Sequence, residues 1–167
     1  MWAGLKRTVL AAALALAAAP GAADILKDGD DVIFWCAGTE HGPRWLDADA
    51  RDGRVFLTDQ TSTFWRAIHV GPGDTYAFEF VSPIDNPDRK YLDCLTETGG
   101  VQLAPAYGAP YTGALWQIEL DSPSRYALKC LGHIEGNRYL DGNTIDGTVG
   151  LAPYPGGPYS GAIWAIR

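Results

Sequence analysis

The stretch that decides the fold lies at residues 138–166, where RYLDGNTIDGTVGLAP at 138–153 is followed by GPYSGAIWAI at 157–166. The same order of residues occurs at 90–118, as KYLDCLTETGGVQLAP and then APYTGALWQI. A third and shorter version lies at 44–68, as RWLDADARDGRVFL followed by FWRAI. A unit that recurs every 46 to 51 residues predicts a fold built from repeats.

Spacing inside the repeats supports this alignment. In each unit a Leu precedes a Val by nine residues, and the pairs are Leu46 and Val55, Leu92 and Val101, and Leu140 and Val149. The Val-x-Leu run ends 13 residues before a Trp in the second and third units, but eight residues before it in the first. The first unit therefore lacks five loop residues. Repeats at about 24–72, 73–120 and 121–167 fill residues 24–167 as one domain.

Each repeat contains four short runs that are typical of strands. The first run alternates apolar and polar residues, most clearly at Tyr76–Phe80. Hairpin turns are indicated by dipeptides that tolerate positive φ angles, namely Asp52-Gly53, Gly99-Gly100 and Asp146-Gly147. The fourth run carries the Trp and ends in Ile68, Ile118 or Ile166. Helical periodicity is absent, so we expect an all-β fold in which twelve strands share one core and close on themselves.

Residues 1–23 are typical of a cleavable secretory signal peptide. Lys6 and Arg7 precede an apolar run at 9–19, and small residues follow at 21–23. The apolar run is 11 residues long, which is too short to cross a bilayer. We therefore expect an exported protein, secreted or periplasmic, with its domain at 24–167.

Net charge restricts the partners. Residues 24–167 contain 11 Lys and Arg against 20 Asp and Glu, a net charge of −9. Nucleic-acid backbones and anionic lipids attract clustered basic residues, which this composition does not favour. No later apolar run is long enough to span a bilayer. We expect neither nucleic-acid binding nor membrane insertion.

The three cysteines, Cys36, Cys94 and Cys130, would enter an oxidising compartment after export. Three is an odd number, so at least one has no partner within the chain. Cys36 and Cys130 each lie ten residues before the Leu of their repeat, with Ser82 at the third such place. Two pairings stay open from this pattern, Cys36 with Cys130 and Cys94 with Cys130.

Catalysis and metal binding have no recognisable signature. No CxxC pair occurs, and His41, His69 and His133 form no i, i+4 pair that would suggest zinc. The acids that recur once per repeat would lie far apart around a threefold axis and could not converge on one bond. We expect a protein that is not an enzyme and needs no metal or cofactor.

The threefold period, the four strands per repeat and the terminal Trp together resemble the β-trefoil fold, and in particular the ricin-B-type lectin family. The resemblance covers residues 24–167. It implies that the Asp after each Leu accepts hydrogen bonds from sugar hydroxyls, at Asp47, Asp93 and Asp141. It also matches the family's Gln-x-Trp motif to Trp65, Trp116 and Trp164, which we expect in the core because large aromatic residues dominate burial.

The sequence departs from the family pattern at two places in each repeat. The stacking aromatic residue is replaced by Thr58, Ala104 or Ala152. The Gln of Gln-x-Trp is replaced by Thr63, Ala114 or Ala162. Substitute ring faces lie in the loops before the last strand, at Tyr107, Tyr111, Tyr154 and Tyr159. The first repeat lacks this loop, so we expect at most two working sites.

Each candidate has a structural alternative. An Asp at this position could accept backbone N–H groups of the hairpin instead of a ligand. The tyrosines could cover the end of the fold. We predict a carbohydrate-binding module for a glycan or glycoconjugate, with its site at Asp93, Asp141, Tyr107, Tyr111, Tyr154 and Tyr159.

Two other functions stay open. β-Trefoils include exported protease inhibitors, and the segment at 81–88 could be an inhibitory loop directed at a protein partner. The chain could also be a structural component of an envelope or surface.

Overall fold

The structure is a computed structural model that describes residues 24–60, 63–133 and 135–167. Its strands are β1 (Asp31–Val32), β2 (Phe34–Cys36), β3 (Trp45–Ala48), β4 (Val55–Thr58), β5 (Phe64–His69), β6 (Thr75–Val81), β7 (Tyr91–Leu95), β8 (Gly100–Ala104), β9 (Trp116–Ser122), β10 (Arg125–Cys130), β11 (Tyr139–Gly142), β12 (Val149–Ala152) and β13 (Trp164–Ile166). The helical elements within the described ranges are two short 3₁₀ turns, Thr112–Ala114 and Ser160–Ala162. The all-β prediction is confirmed. The predicted signal peptide at 1–23 lies outside the described residues.

Seven strands form a closed antiparallel ring in the order β1, β5, β6, β9, β10, β13, β2. Ile33 alone separates β1 from β2, and it exchanges two backbone hydrogen bonds with Arg167, of 2.9 and 3.1 Å. The segment 31–36 therefore pairs with β5 on one side and with β13 on the other. This closure gives every ring strand a hydrogen-bonded neighbour on both sides. No helix in the described part of the chain is long and apolar enough to cross a membrane.

The other six strands form three hairpins, β3–β4, β7–β8 and β11–β12. Each turn contains a Gly with a positive φ, namely Gly53 (79°), Gly99 (76°) and Gly147 (78°). Glycine adopts this conformation without the strain that a Cβ would add. Backbone hydrogen bonds join the hairpins in a cycle: Leu57 N–H to Gly147 O (2.8 Å), Leu103 N–H to Gly53 O (2.9 Å) and Leu151 N–H to Gly99 O (3.0 Å).

Substitutions at two turn glycines can distinguish the energetic cost of a positive φ from the energetic cost of close packing. A Cβ at Gly147 would lie 3.1 Å from the Leu57 carbonyl oxygen, whereas a Cβ at Gly99 would meet nothing within 4 Å. We expect Gly99→Ala to lower the free energy of unfolding by about 1 kcal/mol, because its φ becomes strained. Gly147→Ala should lose about 1 kcal/mol more through overpacking. Urea unfolding measures both variants, and equal losses would contradict the close contact between hairpins.

The core is organised around three fully buried Trp side chains. Each indole Nε1–H donates to the carbonyl oxygen of the Leu in its own repeat: Trp65 to Leu46 (3.2 Å), Trp116 to Leu92 (2.9 Å) and Trp164 to Leu140 (2.8 Å). These hydrogen bonds satisfy the one polar atom of each indole inside the core. The prediction that these Trp residues are core residues is confirmed.

One expected equivalence between repeats is wrong. The ring pairs each Trp with a residue of the neighbouring strand: Trp65 with Phe80, Trp116 with Cys130 and Trp164 with Cys36. The third equivalent of the two cysteines is therefore Phe80, and not Ser82. The reason is loop length. Phe80 and Lys90 form a backbone hydrogen bond that has an equivalent in the other two repeats, but the second repeat has two more residues between these partners.

The end of the fourth run in the first repeat is also shifted by one residue. The ring pairs that follow each Trp are Ala67 with Phe78, Ile118 with Leu128 and Ile166 with Phe34. Ala67 is fully buried, whereas Ile68 is partly exposed. The residue equivalent to Ile118 and Ile166 is therefore Ala67, and not Ile68 as the sequence alignment of the repeats had it. A small Ala fits because the rings of Phe78 and Phe34 pack edge to face beside it, with centroids 4.9 Å apart.

The disulfide joins Cys94 to Cys130, with Cα atoms 6.5 Å apart. Cys36 is buried and free, and burial raises the pKa of its thiol. In the third repeat the counterpart of Cys94 is Gly142, where a Cβ would lie 3.0 Å from the Cys36 sulfur. Cys36 and Gly142 therefore occupy positions equivalent to those of Cys130 and Cys94, but Gly142 has no sulfur to complete a disulfide.

This geometry predicts that Gly142→Cys forms a second disulfide with Cys36. The wild-type chain should contain one titratable thiol in denaturant, and the oxidised variant should contain none. The nearby Leu57 methyl group, 2.9 Å from the added Cβ, can move because it ends a flexible side chain. Adding Cys36→Ser to the variant is the control and should leave one thiol. Two free thiols in Gly142→Cys would show that the two positions are not equivalent.

Candidate ligand-binding clefts

Each hairpin carries an Asp directly after the Leu that binds the Trp indole. Because side chains alternate along a strand, the Leu points into the core and the Asp points to the opposite side. These residues are Asp47 in β3, Asp93 in β7 and Asp141 in β11. A cleft lies at each Asp, so the repeat produces three related candidate sites.

The second-repeat cleft has a volume of about 320 Å³ and contains Asp93, Gln102, Tyr111 and His133 among its lining residues. Asp93 is 5% exposed. Its carboxylate accepts a hydrogen bond from the Gln102 side-chain amide at 3.4 Å. Gln102 lies directly opposite Asp93 in the register of β7 and β8. Tyr111 is 38% exposed, so part of its surface is open to a ligand.

The loop that carries Tyr111 lies tightly against Asp93. A Cβ at Gly113 would lie 2.5 Å from Asp93 Oδ1, and a Cβ at Gly161 would lie 2.7 Å from Asp141 Oδ1. Glycine is needed at both places because a Cβ would collide with the backbone carbonyl oxygen of Cys94 or Gly142 as well as with the carboxylate. The repeated Pro-Tyr-(Thr/Ser)-Gly sequence thus brings loop and Asp together in the second and third repeats.

The third-repeat cleft is more polar and contains Asp141, Thr39, Asn143 and Ser160. The Thr39 backbone N–H donates to the Ser160 hydroxyl at 3.3 Å, which joins the first repeat to the third-repeat loop. The Asp141 side chain forms no hydrogen bond with any of the described residues. Its acceptor atoms are therefore not satisfied by protein donors.

The carboxylate of the first-repeat Asp is already hydrogen-bonded within the protein. Asp47 accepts a hydrogen bond from the Ala48 backbone N–H at 2.8 Å and another from the Thr63 hydroxyl. Thr63 stands where the family pattern has the Gln of Gln-x-Trp. The structural alternative for the repeated Asp therefore applies to Asp47, in the repeat with the shortened loop.

Of the two tyrosines predicted in the second repeat, one lies at the cleft. Tyr111 lines the cleft together with Asp93, as the sequence predicted. Tyr107 instead packs edge to face against Tyr91, with ring centroids 5.0 Å apart, and is not a lining residue. The structure therefore brings Asp93 and Tyr111 together and leaves Tyr107 outside their cleft.

The two tyrosines predicted in the third repeat pack against each other. The rings of Tyr154 and Tyr159 are perpendicular, with centroids 5.1 Å apart. The cleft of Asp141 is lined by Pro158 and Ser160, which flank Tyr159, but by neither tyrosine ring. The third-repeat cleft thus has an open carboxylate without an aromatic wall.

Sequence reasoning missed Gln102 and His133. Gln102 had a signal, because Asp93 and Gln102 lie one residue inside Leu92 and Leu103, which pair with each other in the same hairpin. In an antiparallel pair, the next residues inward from one pair of partners lie opposite each other as well. His133 had no such signal, because it reaches the cleft from the following repeat through a loop contact.

Burial raises the pKa of Asp93, and the hydrogen bonds from Gln102 and the Cys94 backbone N–H partly counteract that rise. Burial also raises the pKa of Asp141. Burial therefore disfavours the charged form of each carboxyl group. A ligand that donates hydrogen bonds to these oxygens would counteract this effect.

The raised pKa predicts a pH-dependent gain of stability in Asp93→Asn. The folded protein binds this proton more tightly than the unfolded chain, so the free energy of unfolding falls as pH rises from 3.8 through the raised pKa. Asparagine removes the charge, and we expect a gain of up to about 1 kcal/mol at pH 7. The gain should disappear below the ordinary carboxyl pKa of 3.8.

Urea unfolding at about pH 3 and pH 7 measures this effect. Asp47→Asn is the control, and it should show no gain because two protein donors already serve the Asp47 carboxylate. A gain for Asp93→Asn of the same size at both pH values would contradict the assigned cause.

The fold and the clefts define a class: an all-β protein in which three hairpins extend from one closed ring of strands and carry small polar clefts. No group of three or more potential metal-binding His, Cys, Asp or Glu side chains occurs among the described residues. Similar folds occur in solved structures.

Lysenin in complex with phosphocholine matches with a TM-score of 0.59 at 10% identity, over 86% of this chain and 45% of the lysenin chain. This chain therefore spans less than half of the lysenin chain. A salivary protein from Culex quiquefasciatus, of the Cysteine and Tryptophan-Rich (CWRC) family, matches with a TM-score of 0.55 at 17% identity, over 85% of this chain and 97% of that chain. No protein-family model and no characterised protein matches the sequence. At these identities the likeness shows the fold alone.

Proposed function

We propose that residues 24–167 form an exported, non-catalytic β-trefoil module that binds carbohydrate at the cleft of Asp93 and Tyr111. One observation carries the proposal. A buried carboxylate with one side-chain donor lies in a cleft beside a partly exposed aromatic ring. Sugar sites commonly combine fixed acceptors for hydroxyl groups with an apolar face for the C–H side of the ring.

The trefoil assignment is supported by threefold regularity in the pairing. Each repeat contributes ring strands, one hairpin, one Trp bonded to a Leu carbonyl, and one link in the cycle of hairpin hydrogen bonds. These features recur in the order that the sequence repeats predict. Membership in the ricin-B-type lectin family stays a prediction.

Asp93 and Gln102 would act as one recognition unit. The carboxylate accepts hydrogen bonds from two sugar hydroxyls, while the Gln102 amide donates to one of them and accepts from another. Tyr111 offers its ring to the apolar face of the sugar. The contact area is small, so affinity at this one cleft would be weak. Asp141 in the third repeat would supply a second polar site, and two sites together raise avidity.

A second ligand class is favoured by the same pair of residues. The lysenin structure contains phosphocholine. A carboxylate beside a tyrosine ring suits a quaternary ammonium group, which is attracted to both negative charge and aromatic faces. Phosphocholine is therefore the comparison ligand in the binding test.

The inhibitor alternative depends on the loop at 81–88. Asn86 donates its side-chain amide to the Ala50 carbonyl oxygen at 2.6 Å, and Asp85 pairs with Lys90 at 3.5 Å. These contacts hold the loop against the body of the protein. A panel of proteases tests this alternative, and no response on both that panel and a glycan array would leave the purely structural role.

Glycan binding by the full chain, measured on an array and then by titration of the best ligand, tests the proposal. We expect Asp93→Asn and Tyr111→Ala to weaken binding about tenfold or more, since each removes one main contact. Asp93→Asn is informative because it should gain stability while it loses affinity.

Two matched variants serve as controls. Asp47→Asn changes an Asp that the protein already satisfies, and Tyr107→Ala changes a tyrosine that packs against Tyr91. Both should retain binding within about twofold. Glycan retention that is unchanged in Asp93→Asn would refute the site, and binding of phosphocholine alone would reassign the ligand.

A further inference from the structure

Three arginines converge on one Trp on the outside of the strand ring. The guanidinium carbons of Arg44, Arg125 and Arg167 lie 4.9, 5.4 and 5.6 Å from the ring centroid of Trp35. That of Arg167 also lies 5.5 Å from the ring centroid of Trp45. We name these five residues the Trp35 cluster. The protein is acidic, so this concentration of positive charge runs against its overall charge.

Strand register explains how the cluster assembles. Trp35 lies opposite Trp45 on one side and opposite Ala165 on the other. Arg167 follows Ala165 by two residues and therefore points to the same face. Arg125 begins β10, which pairs with β13 and brings it to the neighbourhood of Ala165. Ala165 carries a single methyl group, which leaves space among the larger side chains around it.

The equivalent positions in the other repeats have opposite charges beside each other. Trp35 corresponds to Glu79 and Lys129, which pair with Tyr91 and Tyr139 as Trp35 pairs with Trp45. Arg66 lies opposite Glu79 and forms an ion pair with Asp31 (3.0 Å), and Lys129 forms one with Glu119 (3.2 Å). In the Trp35 cluster, by contrast, no carboxylate of the described residues lies within 4.0 Å of a guanidinium nitrogen.

The arginines differ in their free donors. Arg44 donates to the carbonyl oxygens of Cys36, Gly38 and Glu40, at 2.6 to 3.0 Å, so its guanidinium is fixed. The guanidinium groups of Arg125 and Arg167 form no hydrogen bond with any described residue. Stacking on an indole face leaves the in-plane N–H donors of an Arg available. Arg44 therefore positions the cluster, while the other two present open donors.

We propose that the Trp35 cluster binds an oxyanion, the sulfate or phosphate group of a small ester. Arg125 and Arg167 would grip the anion through their planar N–H donors, and Trp45 would support the body of the ligand. An anion would also relieve the repulsion among three cations crowded around one ring. The acidic remainder of the protein would repel large polyanions, so the site favours small ligands.

This site is separate from the three clefts, with which it shares no residue. It therefore goes beyond the proposed sugar binding at Asp93. Loss of function in Asp93→Asn would leave it unchanged, so the two proposals fail independently.

Titration of the ¹⁵N-labelled full chain with glucose 6-sulfate, glucose 6-phosphate and glucose tests the proposal. We expect at least one of the two esters to shift the indole N–H signals of Trp35 and Trp45, while glucose leaves them in place. The buried indole of Trp116 serves as an internal reference. About 0.5 M NaCl should weaken binding about tenfold or more, because the donors are exposed to solvent. Equal shifts with glucose, or no shift with either ester, would overturn the proposal.

Charge variants locate the anion. Arg125→Gln combined with Arg167→Gln should weaken ester binding at least about tenfold, as expected when charge-assisted hydrogen bonds are lost. Arg54→Gln is the matched control, since it removes one positive charge from an exposed hairpin turn outside the cluster. Circular dichroism establishes that the variants are folded. Ester binding that persists in the double variant would place the anion elsewhere and overturn the assignment.

Discussion

Three backbone hydrogen bonds join the hairpins into a closed cycle, each from a strand Leu to the turn Gly of a neighbouring hairpin. One such bond contributes about 1 kcal/mol to stability, but an unmade bond at a buried site costs more. The cycle therefore requires all three turns to have the same shape. Gly53, Gly99 and Gly147 supply it, with φ angles within a few degrees of one another. The Trp indoles then fasten each hairpin to the ring beneath it.

The position of the candidate clefts follows from these Trp–Leu hydrogen bonds. The carbonyl oxygen of Leu92 accepts from the Trp116 indole, so Leu92 is fixed in the core, and Asp93 must point to the other side of β7. The 3₁₀ turn at Thr112–Ala114 then closes over the carboxylate, because Gly113 permits contact with it. The packing of the core thus buries the Asp93 carboxyl group, and under the proposed function the hydroxyl groups of a ligand would hydrogen-bond to it.

The sequence predicted the features that depend on repetition. Residue spacing identified the three hairpins, the turn glycines and the core Trp residues, because each is demanded three times by the same geometry. It failed where the repeats differ in length: Ser82 was aligned in place of Phe80, and Ile68 in place of Ala67. For Ser82 the cause is the two-residue extension between Phe80 and Lys90. For Ile68 the aligned residue type matched, but strand pairing sets the register and places Ala67 at the equivalent position.

Contacts between repeats could not be predicted from the sequence, for a different physical reason. The pairing of Cys94 with Cys130 depends on how β7 and β10 pack together, and the approach of His133 to the Asp93 cleft depends on how the loop after β10 folds back. Local sequence patterns carry no information about which residues from different repeats come into contact. The Trp35 cluster could not be predicted for the same reason. Its residues lie in or beside β2, β3, β10 and β13, which come together only when the ring closes.

The three repeats allow an internal comparison, because each position occurs in three versions that differ in their side chains. At the hairpin Asp, the versions are a carboxylate bound by Thr63, one paired with Gln102 and one without a protein donor. On the outside of the ring, two versions contain ion pairs between opposite charges, and the third collects arginines around Trp35. The three versions therefore differ in how far the described residues satisfy the polar groups at one and the same position. These differences support the two proposals, a ligand with hydroxyl groups at the Asp93 cleft and an oxyanion at the Trp35 cluster.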